Sequence, residues 1–195
     1  MPTHMVRCCF AAGLTLCLLA YAPYHWAFAK SREAITGAHL AHVSKLHRHP
    51  DFAGGLASDV LLSLIATWLS ANFDLPADSR LPRVQIMAAK RIAAIRYGSV
   101  PPDRRRDVIA IYDDKSETIR VAEGWTGRTP TDISIIVHEM VHHLQNLDRR
   151  SHPCPQAREK LAYAAQEKWL RLFHRSLASE FDIDAVTLKL STTCM

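Results

Sequence analysis

The chain has 195 residues, 48% hydrophobic and 22% charged, with a formal net charge of +5. Its basic residues are spread rather than gathered in a stripe, apart from Arg104-Arg105-Arg106, so the positive charge does not point to nucleic acid. That tri-arginine run follows Pro101-Pro102 and is expected to be a solvated loop.

Residues 1–29 read as a secretory signal peptide. Arg7 is the only charged residue before Lys30, Cys8 to Tyr21 is an apolar run, and Ala27-Phe28-Ala29 offers a small-x-small cleavage site. The run falls short of the ~20 residues that span a bilayer, which argues against a retained anchor and for a mature form without a stable membrane span. A lipoprotein is disfavoured because the bulky Leu16 precedes Cys17. The expected product is secreted or periplasmic. Residues 30–195 suffice for one domain with a real core and are too few for two.

Cleavage leaves Cys154 and Cys194, an even pair that suggests a disulfide in an exported protein. Closing that loop is worth roughly 3–4 kcal/mol in the chain-entropy account. Two cysteines so far apart lack the paired C-x2-C spacing of a structural zinc site. His39, His42, His47 and His49 have no acidic or cysteine partner before Asp51, and a polar N-terminal segment is the better reading for them.

In chain order, Asp59 to Phe73 carries Val60, Leu61, Leu64, Ile65, Trp68 and Leu69 at helical spacing and ends at Leu75-Pro76. Arg83 to Met87 is a short strand candidate leading into helix over about Ala88 to Arg96. Val108 to Tyr112 and Thr118 to Ala122 are strand candidates, and Asp113-Asp114-Lys115-Ser116 between them predicts a hairpin. Thr129 as N-cap, Pro130 at the first helical position and Asp132 three residues after the cap start a helix expected to run to Leu147. A loop with Pro153, Cys154 and Pro155 precedes a long helix from about Gln156 to Leu177, then a last helical piece from Glu180 to Leu190. The expected architecture is α+β, mostly α, with a small antiparallel sheet.

Within the Pro130 helix lies His138-Glu139-Met140-Val141-His142, an H-E-x-x-H pattern. Residues four apart stack on one helical face, so two imidazoles can grip one Zn2+ while the glutamate reaches a water on it. Ile133, Val137, Met140, Val141, Leu144 and Leu147 cluster on one side of the wheel, and His138, His142 and Gln145 on the other.

Three kinds of third ligand compete. Glu159 falls within the apolar arc of the Gln156 helix, beside Gln166, where a carboxylate needs a partner. Glu167, among Lys160, Lys168 and Arg171, reads as a solvated charge. Asp148 stands where metzincin-like chains place a ligand, but Gln145 replaces the glycine at which those chains turn. His143, His152 and His174 are the remaining candidates. His143 points about 100° away from His142 and is expected behind the ligands or at the surface.

The segment from Thr118 to Trp169 resembles a gluzincin-type zincin, in which H-E-x-x-H on one helix is completed by a glutamate from a later helix. The matching features are a strand at Thr118 to Ala122, the motif helix, sixteen intervening residues, then Glu159-Lys160-Leu161-Ala162-Tyr163. Tyr163 stands where thermolysin-like chains carry an acidic residue, so their carboxylate support of a ligand histidine does not transfer. The resemblance implies Zn2+ held by His138, His142 and Glu159, with Glu139 as general base in a metallopeptidase. It also implies that Thr118 to Ala122 is an edge strand against which a peptide or protein substrate pairs. Tyr163 and His174 are candidates for oxyanion stabilisation, though their ordinary readings are a core tyrosine and a surface histidine. Two other functions compete: a non-catalytic zinc-binding or interaction module, and an amidase. Glu139 weighs against the first, because a purely structural site does not need it.

Overall fold

Proline, short polar caps and two faces of apolar spacing set the elements of this chain. The computed structural model describes residues 59–76, 80–98 and 108–194. The expected signal peptide, the four N-terminal histidines and the tri-arginine run lie outside these residues.

Helix α1, Asp59–Asn72, buries Leu61, Leu62, Ile65, Ala66, Trp68 and Leu69. It stops where the Asn72 side chain turns back to the Trp68 carbonyl at 2.8 Å and Ser70 donates to the Pro76 carbonyl at 2.9 Å. Strand β1, Arg83–Met87, and helix α2, Ala89–Tyr97, follow. Strands β2, Ala110–Asp113, and β3, Thr118–Ala122, form the expected hairpin. Its turn is held by Asp113, whose carboxylate accepts from the Lys115 backbone N–H at 3.1 Å and the Ser116 hydroxyl at 2.7 Å.

The sheet differs from expectation in one respect that matters for function. Its order is β1-β3-β2, with β1 parallel and β2 antiparallel to β3. The sheet is therefore mixed rather than antiparallel, and Thr118 to Ala122 is its central strand, not an edge. Local patterning reveals the hairpin, whereas the parallel β1–β3 pair needs a long crossover through α2 that leaves no local signal. Thr118, Ile119 and Val121 are accordingly buried.

Helix α2 covers one sheet face, where Ile92, Ala93 and Val108 pack with Met87, Ile111 and Ala122. The main core lies on the other face. It joins Ile119 and Val121 to α1, to helix α3 (Pro130–Leu147) and to helix α4 (Pro155–Arg171). Both long helices begin with a cap followed by proline. Thr129 accepts from the Asp132 N–H at 3.0 Å, and Cys154 Sγ from the Ala157 N–H at 3.4 Å.

Helix α4 ends at Arg171, short of the expected Leu177. His174 takes the left-handed conformation at φ 57°, and the Arg175 N–H bonds the Leu170 carbonyl at 3.1 Å. Ser176 then opens a new helix with a reciprocal Ser176–Ser179 capping box, which competes with continuation of α4. The expected final helix is divided likewise: α5, Leu177–Phe181, stops at left-handed Asp182, and α6, Ala185–Thr192, starts from the Asp184 cap. No helix among the described residues is long and apolar enough to cross a membrane.

Cys154 and Cys194 are bonded across 40 residues, with Cα atoms 5.8 Å apart. The bond ties the end of α6, which buries none of its residues, to the cap of α4. A Cys154→Ser/Cys194→Ser variant, whose serine can still cap α4, is expected to lose about 3–4 kcal/mol. In limited proteolysis it should be cut first within α6. Unchanged melting and digestion would contradict this role for the bond.

Candidate metal centre

The motif helix α3 is covered on most sides. Ile133, Ile136, Val137, Met140, Val141 and Leu144 are buried on its core face. Helix α4 approaches the remaining flank through Ala162 and Ala165, each fully buried, and small residues there let the two backbones come close. Glu159, one turn before Ala162, is thereby carried to the face of His138 and His142. Its Oε2 lies 3.1 Å from His138 Nε2 and 3.3 Å from His142 Nε2. One ligand atom from each of the three residues falls within 4.8 Å of the others. Two ligands on a tetrahedral zinc at 2.0–2.1 Å are themselves separated by about 3.3 Å, so the two contacts of Glu159 fit such a donor set.

The other nitrogen of each imidazole is tied back by an amide. His138 Nδ1 lies 3.0 Å from Gln166 Oε1, and His142 Nδ1 lies 3.2 Å from Gln145 Oε1. An amide oxygen only accepts, so each Nδ1 carries the proton and each Nε2 turns its lone pair toward the Glu159 carboxylate. Lone pairs facing a carboxylate need a cation between them, either a metal or protons on the imidazoles. The amides are themselves anchored. Gln166 Nε2 donates to the Ser134 hydroxyl at 3.3 Å, and Gln145 meets the Arg158 side chain and carbonyl at 3.3 Å each. Arg158 grips Asp114 through two bonds of 2.7 and 2.6 Å and donates to the His142 carbonyl at 2.8 Å.

The electrostatics agree. Burial pushes the Glu159 carboxyl up, but hydrogen bonds from His138 and His142, donated when the imidazoles carry protons on Nε2 as well, overcome it and hold the group well below the usual carboxylate range. Burial likewise pushes His138 down, while its bond to Glu159 and the charges of Glu139 and Glu159 leave it raised. The cluster is therefore built to hold positive charge at its centre.

Residues 55–195 match the family described as a domain of unknown function, DUF6647. The chain belongs to that family. No curated protein and no solved structure matches it.

In this DUF6647 domain the His138–His142–Glu159 cluster opens on a cleft of about 1020 Å³ lined by both strand β2 and helices α3 and α4. Glu139, 6% exposed, lines it beside His138. Tyr163 also lines it, with its ring edge-on to His138 at 4.7 Å between centroids. Burial, and then the charges of Glu159 and Glu139, raise the Tyr163 phenol, so it stays a proton donor at neutral pH. Tyr163 is thus a half-buried wall of the cleft rather than a core tyrosine.

The other candidates lie elsewhere in the DUF6647 domain. Asp148 caps the end of α3 and pairs with Arg150. His174 is exposed at the end of α4 and does not line the cleft, which removes it as an oxyanion donor. His152 sits in the α3–α4 loop outside the ligand cluster. His143 is fully buried, not at the surface. Its Nε2–H donates to the Arg80 carbonyl at 2.7 Å and its Nδ1 accepts from Tyr112 at 2.9 Å, joining α3 to β2. Sequence reading left Gln145, Gln166 and Arg158 without a role. The amides were findable, since Gln145 is three residues after His142 and Gln166 seven after Glu159, spacings that keep one helical face.

Proposed function

We propose that the chain is an exported zinc-dependent hydrolase, a metallopeptidase in which His138, His142 and Glu159 hold the metal. The observation that carries this reading is the convergence of two Nε2 atoms on one Glu159 oxygen, each imidazole being met from behind by a glutamine. When bound, zinc supplies Lewis acidity, acidifying water and polarising a carbonyl. Glu139 accepts the proton of the attacking water and passes it to the leaving nitrogen. The Tyr163 phenol donates to the oxyanion that develops on the carbonyl. Gln145 and Gln166 keep both imidazoles in the tautomer that presents Nε2.

A peptide substrate is favoured by β2. It is an outer strand of the sheet, and all four of its residues line the cleft, so its outward backbone groups are placed to pair with an extended chain. It takes the part that the resemblance had given to Thr118 to Ala122. Export rests on residues 1–29.

An unbiased peptide library incubated with the purified protein tests this reading. Cleavage that a chelator abolishes and zinc restores is the expected outcome. Cleavage indifferent to chelation would contradict it, and a zinc-loaded protein that cleaves nothing would favour the non-catalytic zinc-binding alternative.

A further inference from the structure

On the side of α4 turned away from the α3 core, a groove of about 680 Å³ runs between α4 and α6. It is lined by Ala164, Ala185 and Leu188 together with Lys160, Lys168, Arg171 and Lys189. Four cations thus face one carboxylate, Glu167. That carboxylate is already engaged by Arg171 Nε and the Leu177 backbone N–H, each at 2.8 Å. Among the described residues no carboxylate forms an ion pair with Lys160, Lys168 or Lys189. Lys168 rests instead over the Phe73 ring, 5.5 Å from its centroid.

The groove adjoins the metal cleft, since Tyr163 lines both. From Lys160 to Arg171 the α4 side is about 16 Å long at 1.5 Å per helical residue, the span of roughly five residues of extended chain. We infer that the α4–α6 groove docks an acidic segment of the substrate chain, some residues away from the bond cut at the metal cleft. This rests on the peptidase reading above. The lysines supply the charge complementarity, and Ala164, Ala185 and Leu188 meet the apolar side of the segment. Nucleic acid is less well matched, because Tyr163 is the single aromatic side chain among the groove's lining residues, too few for successive bases to stack on.

The test is fluorescence anisotropy with a fluorescein-labelled peptide of alternating glutamate and alanine, against glutamine–alanine and lysine–alanine controls. Binding is measured on the full protein with and without chelator. The acidic peptide should bind saturably under both conditions and weaken as salt rises. A Lys160→Glu/Lys189→Glu variant with an unchanged melting curve should bind it at least ~10-fold more weakly. The inference is overturned if the glutamine peptide binds equally well, or if the charge reversal leaves binding intact. It is also overturned if phosphatidylglycerol vesicles bind through these lysines while the acidic peptide does not. Because the readout needs neither metal nor turnover, loss of the zinc reading would leave this result standing, and the reverse also holds.

Discussion

Glu139→Gln is expected to fold, to keep its metal and to lose nearly all hydrolysis. Glutamine has the same shape, and Glu139 is 6% exposed between the core face of α3 and the cleft, so packing should be preserved. It is not one of the three residues proposed to hold the metal, so metal affinity should change little. What the amide lacks is a site that accepts a proton. General acid–base groups contribute about 10²- to 10⁴-fold, and the loss in kcat should fall in that range. Steady-state cleavage of a library-derived peptide, with metal content determined on the same sample, separates the two properties. Undiminished turnover would remove Glu139 from the mechanism.

Glu159→Ala and Asp148→Ala should behave oppositely. Glu159 Oε2 is the common neighbour of both Nε2 atoms, and the residue sits on the helix that closes the centre. Removing it takes away a proposed ligand and leaves two largely buried imidazoles facing a void, so zinc affinity should fall by at least ~10-fold and stability with it. Asp148 is engaged with Arg150 at the end of α3, away from the cluster. Its replacement should leave zinc near one equivalent. Zinc titration of the two variants checks this, and the reverse order would contradict the assignment.

The elements with strong local chemistry were legible in the sequence. The Thr129-Pro130 cap fixed the start of α3, and the spacing of Val60 to Leu69 marked α1. Glu159 was legible for a different reason, since a carboxylate on an apolar arc must meet a partner. Features set by distant contacts were not. The central position of β3 depends on a parallel partner more than thirty residues earlier, Arg83 opposite Thr118. His143 looked peripheral on a helical wheel, but α3 is also covered by β2, where Tyr112 meets its ring. The early end of α4 was hidden because His174, not glycine, takes the left-handed position. Ser176-x-x-Ser179 was the available signal, weaker than a serine–glutamate box.

The most direct measurement is zinc per chain in the purified full protein, by elemental analysis, beside a His138→Ala/His142→Ala variant. One equivalent in the wild type and a loss of zinc from the variant are the expected result. No zinc in the wild type, or equal zinc in both, would contradict the central claim that these residues form a metal centre.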